Sequence, residues 1–275
     1  MKFIVILLLI VHSYSTTCQQ EYVIQKDLPY YAITEIKGDA YKTSQCLLDI
    51  YYPKDGRNFA TIIWFHGGGI AGGQKEIPKA LMEKGYAVIG VGYRLSPKVS
   101  APVYIEDAAA AVAWTFQNIH KYGGNTDLIF VSGHSAGGYL GMMIGLDKKY
   151  LNHHSINADQ IAGIIPFSGQ AVTHFTIRKE RGIKDTQPTI DDMAPLYHVR
   201  AGAPPLLLIT GDREMELLGR YEENAYLARM MQLTGHTSTK LYELQGFDHG
   251  NMPEPAFPLL LREVRDISKK ILSKK

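Results

Sequence analysis

The chain has 275 residues, of which 45% are hydrophobic and 20% charged, so it contains enough apolar material for one large buried core. Its 29 basic and 27 acidic side chains give a formal charge of +2, and no segment concentrates this small excess into a basic stripe. We therefore expect no nucleic-acid partner, because phosphate binding needs clustered positive charge.

The first 17 residues have the composition of a signal peptide. Lys2 precedes an unbroken apolar run from Ile4 to Val11, and small or polar residues follow as far as Thr17. The run is about half as long as a bilayer-spanning helix must be, and no later stretch is longer. We expect residues 1–17 to be removed on export, to the periplasm or the exterior, leaving no transmembrane segment.

Two cysteines, Cys18 and Cys46, follow the predicted leader. An exported chain could join them in a disulfide that pins the mature N-terminus, or it could leave both as small unpaired residues. Cys18 also occupies the position at which a bacterial lipoprotein is acylated, although the Ser-Thr-Thr before it matches the usual acylation signal poorly. A disulfide, two thiols and a lipid anchor at Cys18 all remain open.

Short β-branched or aromatic segments alternate with longer segments of helical periodicity along the rest of the chain. In chain order they predict strands at Leu47 to Tyr52 and Ala60 to Phe65, a helix near Gln74 to Lys84, a strand at Tyr86 to Tyr93, a helix from Tyr104 to His120, a strand at Leu128 to Ser132, a helix containing Tyr139 to Leu146, strands at Ile161 to Phe167 and Pro205 to Thr210, a helix near Tyr221 to Leu233, a strand at Ser238 to Leu244 and a helix near Ala256 to Leu272. This alternation predicts a single α/β domain over residues 28–275, with a mostly parallel sheet and helices on both faces. The irregular stretch 168–203 is expected to pack over the sheet as a partial lid.

A serine lies between a predicted strand and a predicted helix. Residues 133–137 read Gly-His-Ser-Ala-Gly and fit the pattern G-x-S-x-G. A sharp turn there would hold Ser135 in a strained conformation at a helix N-terminus, where the N–H dipoles favour negative charge. The alternative is a glycine-rich turn with a capping serine.

A glycine run follows the strand that ends at Phe65. Residues 66–69 read His-Gly-Gly-Gly, and glycines allow backbone N–H groups to approach the oxyanion of a tetrahedral intermediate. We predict an oxyanion hole made by the N–H groups of Gly68, Gly69 and Ala136. His66 is interpreted as a residue that organises the loop.

Where a nucleophilic serine occupies such a turn, an acid and then a histidine follow it along the chain. His249 lies after the last predicted strand and before the last predicted helix, which suits a general base. The acid is expected after the strand Pro205 to Thr210, where Asp212 and Glu214 compete. Glu214 lies three residues after Gly211 and is preferred by this spacing, whereas Asp212 has the commoner residue type.

Together these elements resemble the esterase/lipase branch of the α/β-hydrolase superfamily, which includes hormone-sensitive-lipase-like and feruloyl or acetyl xylan esterase-like carboxylesterases. The resemblance covers nearly the whole mature chain and extends to the segments 92–97 and 105–108 and to Trp114. It implies that Arg94 and Asp107 tie a loop to a helix. The chain departs from the family in the uncertain acid and in having no long N-terminal cap, which makes a lipid–water interface an unexpected substrate.

The resemblance also implies ester hydrolysis through an acyl-enzyme on Ser135, with no metal or organic cofactor. The expected substrates are acetyl or feruloyl esters of carbohydrates or other small carboxylic esters, and an aryl formamide, as in related formamidases, is an alternative. The sequence does not predict an oligomeric state.

Two interpretations from other functional classes are alternatives to an esterase. Residues 67–72 also satisfy G-x-G-x-x-G between a predicted strand and a predicted helix, which would suit a dinucleotide-binding oxidoreductase with Arg94 on an NADP 2′-phosphate. That reading leaves Ser135 and His249 unexplained. A non-catalytic binding module is the third reading, but every residue type of a catalytic triad is present.

Overall fold

The structure is a computed structural model that describes residues 20–217 and 219–274. The predicted leader and Cys18 lie outside these ranges, so the disulfide, the lipid anchor and the boundaries of the mature chain stay predictions. Cys46 is buried, with 1% of its surface exposed. Among the helices in the described ranges, none combines the length and the apolar character needed to cross a membrane.

An eight-stranded sheet forms the centre of this part of the chain, in the order β1-β2-β4-β3-β5-β6-β7-β8. The strands are β1 Tyr22–Pro29, β2 Leu47–Pro53, β3 Phe59–Phe65, β4 Ala87–Val91, β5 Gly124–His134, β6 Gly163–Phe167, β7 Leu206–Gly211 and β8 Thr239–Leu244. Strand β2 is antiparallel to both β1 and β4, and the remaining pairs are parallel. The predicted mostly parallel sheet is confirmed. The edge strand β1 was not predicted, because its mostly exposed residues lack a sustained apolar pattern.

The helices cover both faces of the sheet, as predicted. They are α1 Ile33–Ile36, α2 Ala40–Gln45, α3 Val103–Asn118, α4 Ala136–Leu146, α5 Lys148–Asn152, α6 Phe175–Glu180, α7 Arg220–Leu233 and α8 Pro253–Leu272. Alternate residues of β3 enter two separate cores: Ile63 and Phe65 pack with α3, α4 and α7, whereas Ile62 and Trp64 pack with α8. Side chains of a strand point to opposite faces, so one buried strand contributes to both layers.

The predicted helix over Gln74 to Lys84 is wrong. The segment contains only a 3-10 turn at Lys79–Leu81. Pro78 lies in its middle, where it removes one backbone donor and would clash with the preceding helical turn. The segment instead runs directly over β4: a Cβ atom on Gly90 would lie 2.2 Å from the carbonyl oxygen of Glu76.

A buried ion pair ties the end of β4 to α3. Asp107 has no exposed surface and accepts hydrogen bonds from Arg94 Nε at 2.9 Å and Arg94 Nη2 at 2.7 Å. The same carboxylate also accepts the backbone N–H of Arg94 and the hydroxyl of Tyr31. The pair has the loop-to-helix role that the resemblance implied.

We expect the substitution Asp107→Asn to lower the free energy of unfolding by about 3 kcal/mol, because it leaves a largely buried guanidinium without its counter-charge. Urea denaturation followed by circular dichroism measures the change. The matched control is Asp55→Asn, which alters an exposed carboxylate and should stay within about 0.5 kcal/mol of the wild type. Equal losses in the two variants would contradict a structural role for the Arg94–Asp107 pair.

Candidate active site

The predicted serine lies at a sharp turn between β5 and α4. Ser135 has φ 55° and ψ −115°, a strained conformation for a residue with a side chain. Its backbone N–H donates to Phe167 O at 2.8 Å, which links the turn to the end of β6. A Cβ atom on Gly137 would lie 2.0 Å from Phe65 O, so only glycine allows α4 to start this close to β3.

The fold brings Ser135 and His249 into hydrogen-bond contact across 114 positions of sequence: Ser135 Oγ lies 2.9 Å from His249 Nε2. His249 follows β8, and Ser135 follows β5. The other ring nitrogen, Nδ1, lies 2.8 Å from Glu216 Oε2. Because a carboxylate oxygen can only accept, Nδ1–H donates to Glu216, and Nε2 is left to accept the serine proton.

The predicted acid is wrong, because Glu216 and neither Glu214 nor Asp212 contacts His249. Asp212 Oδ1 accepts the N–H of Glu214 at 3.0 Å and Oδ2 accepts the N–H of Gly246 at 2.8 Å, so this side chain closes a turn. Glu214 is exposed. The turn places Glu216 back over the end of β7, where its Oε1 accepts the N–H of Gly211 at 2.9 Å. The added turn moves the acid two residues beyond the expected spacing.

Glu216 is held as a carboxylate inside the protein, with its side chain fully buried. Burial alone would raise its pKa, but hydrogen bonds from His249, the Ser168 hydroxyl and the N–H of Gly211 lower the pKa to about 2. The Ser168 hydroxyl donates to Glu216 Oε1 at 2.5 Å and also lies 3.2 Å from His249 Nδ1. Ser168 was not predicted as a site residue, because it follows β6 and belongs to no motif.

The loop predicted to form the oxyanion hole lies beside Ser135. A Cβ atom on Gly67 would lie 3.6 Å from Ser135 Cβ, and Gly68 and Gly69 have φ 109° and 63°, which favour glycine. Ala136 is the first residue of α4, so its N–H has no acceptor within the helix. The three predicted donor residues therefore belong to backbone segments that adjoin Ser135.

His66 organises the loop 66–69, as expected from the sequence. Its ring stacks on Tyr93 with centroids 4.3 Å apart, and Nδ1 lies 2.7 Å from Gly67 O. The Tyr93 hydroxyl donates to His66 O at 2.8 Å. Burial lowers the pKa of His66 and keeps the ring neutral.

His134 packs against His249, the candidate base. Its Nε2–H donates to His249 O at 2.9 Å, and the two ring centroids lie 4.7 Å apart. Burial, together with the positive charge that His249 can carry, lowers the pKa of His134 to about 4. His134 therefore stays neutral near pH 7.

The structure does not support the alternative interpretation of residues 67–72 as a dinucleotide-binding loop. The glycine loop is followed by an extended segment and the short turn Lys79–Leu81, not by a helix N-terminus that could hold a pyrophosphate. The guanidinium of Arg94, the residue expected at a 2′-phosphate, is bound to buried Asp107. Among the described residues, no group of three or more His, Cys, Asp or Glu side chains could hold a metal ion.

We expect Glu216→Gln to lower kcat/KM for 4-nitrophenyl acetate by about 10² to 10⁴, because the amide cannot compensate an imidazolium and does not fix the Nδ1–H tautomer. Steady-state kinetics at pH 8 measure the loss. Glu214→Gln is the matched control and should hydrolyse the ester at close to the wild-type rate. If kcat/KM instead falls in Glu214→Gln and stays near the wild-type value in Glu216→Gln, the acid would be Glu214.

His134 predicts a pH-dependent stability. Its pKa is about 4 in the folded chain against 6.5 for an ordinary histidine, so between these values the unfolded chain binds the proton more readily. The free energy of unfolding should fall as the pH drops from 6.5 to 4, by an amount on the order of 1 to 3 kcal/mol from this group. In His134→Gln an amide N–H can still donate to His249 O, and this part of the fall should disappear in urea titrations. If the free energy of unfolding falls equally in the wild type and in His134→Gln between pH 6.5 and 4, the fall does not come from His134.

The chain is similar to a known family and to several named esterases. The sequence profile of the BD-FAE family matches residues 48–217, from β2 to just beyond Glu216. The chain is 28% identical over 207 residues to "Esterase LipC" of Mycobacterium tuberculosis, an alignment that covers 68% of this chain and 50% of that protein. The chain spans about half the length of the curated relatives it matches first, or less.

Two solved structures share the fold. A "Truncated form of carbohydrate esterase from gut microbiota" superposes with a TM-score of 0.74 at 18% identity, covering 91% of this chain and 98% of the other. Esterase 2 of Thermogutta terrifontis superposes with a TM-score of 0.69 at 21% identity, covering 89% and 94%. The fold is that of the α/β-hydrolases. Since its family profile spans more than half of the residues, the chain belongs to the BD-FAE family.

Proposed function

We propose that the protein is a serine carboxylesterase that hydrolyses its substrate through an acyl-enzyme on Ser135. One observation carries the proposal: the Ser135 hydroxyl, the His249 ring and the Glu216 carboxylate are connected by hydrogen bonds of 2.9 and 2.8 Å. The relatives named as esterases support it. A capping serine in a glycine-rich turn, the alternative reading of the motif, would need neither contact.

In the proposed mechanism, Ser135 Oγ bonds to the ester carbonyl carbon while its proton passes to His249 Nε2. Glu216 stabilises the imidazolium that forms, and the N–H groups of Gly68, Gly69 and Ala136 receive the oxyanion. His249 then gives the proton to the leaving alkoxide as the C–O bond breaks. Water reverses these steps: it loses a proton to His249, adds to the acyl carbon and releases the carboxylic acid, and Ser135 regains its proton.

We propose a short acyl group, or an acetyl or feruloyl group carried by a carbohydrate, as the substrate. Two features support a small substrate. Ser135 is only 7% exposed, and the oxyanion loop and the segment after β6 crowd its surroundings. The gut carbohydrate esterase that shares the fold is consistent with a carbohydrate ester, and the leader-like composition of residues 1–17 supports export to where such esters occur.

A fluorophosphonate probe tests the nucleophile and an ester panel tests the substrate. We expect the probe to label the wild type, with the adduct on the peptide that contains Ser135, and to leave Ser135→Ala unlabelled. Ser155→Ala, at an unrelated surface serine, is the control and should label normally. Kinetics on 4-nitrophenyl esters of increasing chain length, methyl ferulate and acetylated xylan should favour acetyl over long acyl groups. Labelling that persists in Ser135→Ala would overturn the proposal, and a preference for long chains would overturn the substrate class.

A further inference from the structure

A cavity of about 670 Å³ lies between the segment after β6 and the start of α7. Residues from both sides line it, among them Gln170, Phe175, Arg178, Leu217, Arg220 and Glu223. The stretch 168–203, which the sequence predicts as a partial lid, supplies one wall. The cavity has room for a substituent of a small ester.

The walls of the cavity are continuous with the candidate active site. Thr176, in α6, donates its hydroxyl to Gly69 O at 2.5 Å, and a Cβ atom on Gly69 would lie 2.9 Å from the Phe175 ring. On the other side the N–H of Leu217 donates to Glu216 Oε2 at 3.1 Å. A group in the cavity would therefore be close to both the oxyanion loop and the triad acid.

Two buried arginines line this cavity, Arg178 with 4% and Arg220 with 3% of its surface exposed. Arg178 Nη1 donates to Gln187 O at 2.7 Å, and Arg220 Nη1 donates to Ser168 O. The Nε atoms of both side chains are buried without a hydrogen-bond partner. Within the described ranges, the ion pairs closer than 4.0 Å include neither guanidinium.

Acidic groups near the cavity do not replace that missing partner. Glu223 Oε2 accepts the N–H groups of Ala171 at 3.0 Å and Val172 at 3.4 Å, and burial raises its pKa. Its carboxylate attracts Arg220 only through space, as does that of Glu216. Two further acids of the lining, Asp185 and Glu222, are exposed.

A buried cation without a bound anion is strongly destabilising, and two such cations repel each other. Arg178 and Arg220 do repel: burial lowers the pKa of Arg220, and the nearby charge of Arg178 lowers it further. A carboxylate offers the planar pair of oxygens that fits the guanidinium fork, and it would compensate both charges. A neutral acyl chain would leave the penalty in place.

We infer that this cavity binds a carboxylate carried by the substrate, so that the preferred ester is one with a free acid group on its acyl or its alcohol part. This inference rests on the proposed esterase function. Arg178 supplies the contact that is independent of the triad. Arg220 has a second task, because the carbonyl group it binds belongs to Ser168.

Matched ester pairs test the inference. On the acyl side we compare 4-nitrophenyl hemiglutarate with its methyl ester, and on the alcohol side 3-acetoxybenzoate with methyl 3-acetoxybenzoate. A charge-assisted contact in a desolvated pocket should raise kcat/KM for the anionic member of one pair by about tenfold or more. The pair that shows the preference identifies the side of the ester that carries the acid.

Variants at Arg178 assign the preference to the cavity. In Arg178→Met the ratio of anionic to neutral kcat/KM should fall to about 1, and Arg178→Lys, which keeps a charge but not the planar fork, should lie between. Lys179→Met removes one positive charge from the exposed neighbouring position and should keep the wild-type ratio. Monomethyl glutarate should bind the wild type, but not Arg178→Met, in calorimetry.

The outcomes separate the two proposals. Equal rates within both ester pairs, or a preference that survives in Arg178→Met, would overturn the carboxylate site while leaving the esterase in place. If the wild type neither hydrolyses any ester nor reacts with the fluorophosphonate, the proposed esterase function is wrong. The binding of monomethyl glutarate in calorimetry would then be the test of the carboxylate site. If Arg178→Met does not fold, the ratio in Arg178→Lys supplies the comparison.

Discussion

The Glu216 carboxylate keeps its charge inside the protein because the N–H of Gly211, the Ser168 hydroxyl and the His249 ring donate hydrogen bonds to it, with the N–H of the adjacent Leu217 as a fourth donor. The first three donors come from the ends of β7 and β6 and from the loop after β8. A carboxylate in this position orients the ring so that its other nitrogen faces Ser135. Without this buried anion neither the tautomer of the His249 ring nor its orientation toward Ser135 would be fixed.

Parallel strands explain how distant residues reach one point. Ser135 follows β5, Ser168 follows β6, Glu216 follows β7 and His249 follows β8, and these four strands are adjacent in the sheet. The oxyanion loop follows β3, the neighbour of β5 on the other side. These five strands are neighbours in the sheet and are parallel, so they all end at the same edge. The loops that follow them therefore place their residues together at the carboxyl end of the sheet, where α/β proteins bind ligands.

The sequence reveals those parts of the site whose backbone geometry requires particular residues. At Gly137, Gly68 and Gly69 a Cβ atom would lie 2.0, 2.3 and 2.9 Å from a neighbouring atom, so glycine is required there and the elbow and the loop are visible as motifs. The acid is different. Three carboxylates lie within the five residues 212–216, and only the course of the turn decides that Glu216 faces inward while Asp212 closes the turn.

Local periodicity has the same limit elsewhere in the chain. It predicted a helix across Pro78 where the chain lies extended over Gly90, and it passed over β1, an edge strand that is mostly exposed. Ser168 carries no signal at all, since a lone serine after a strand is common. For β1 and Ser168 the deciding contacts join segments far apart in sequence, so no window of neighbouring residues records them, whereas at residues 74–84 Pro78 itself opposes the helix.

Helix α4, which carries Ser135 at its start, has no solvent-facing side: all of its residues from Ala136 to Leu146 are buried. Its glycines let it lie against the sheet so closely that a Cβ atom on Gly145 would meet Ile164 Cδ1 at 2.1 Å. Such a helix has little freedom to drift in evolution, because every change along it disturbs a packed neighbour. Changes that leave Ser135 in place would have to arise outside this packing, as in the mostly exposed stretch 179–188, which borders the cavity.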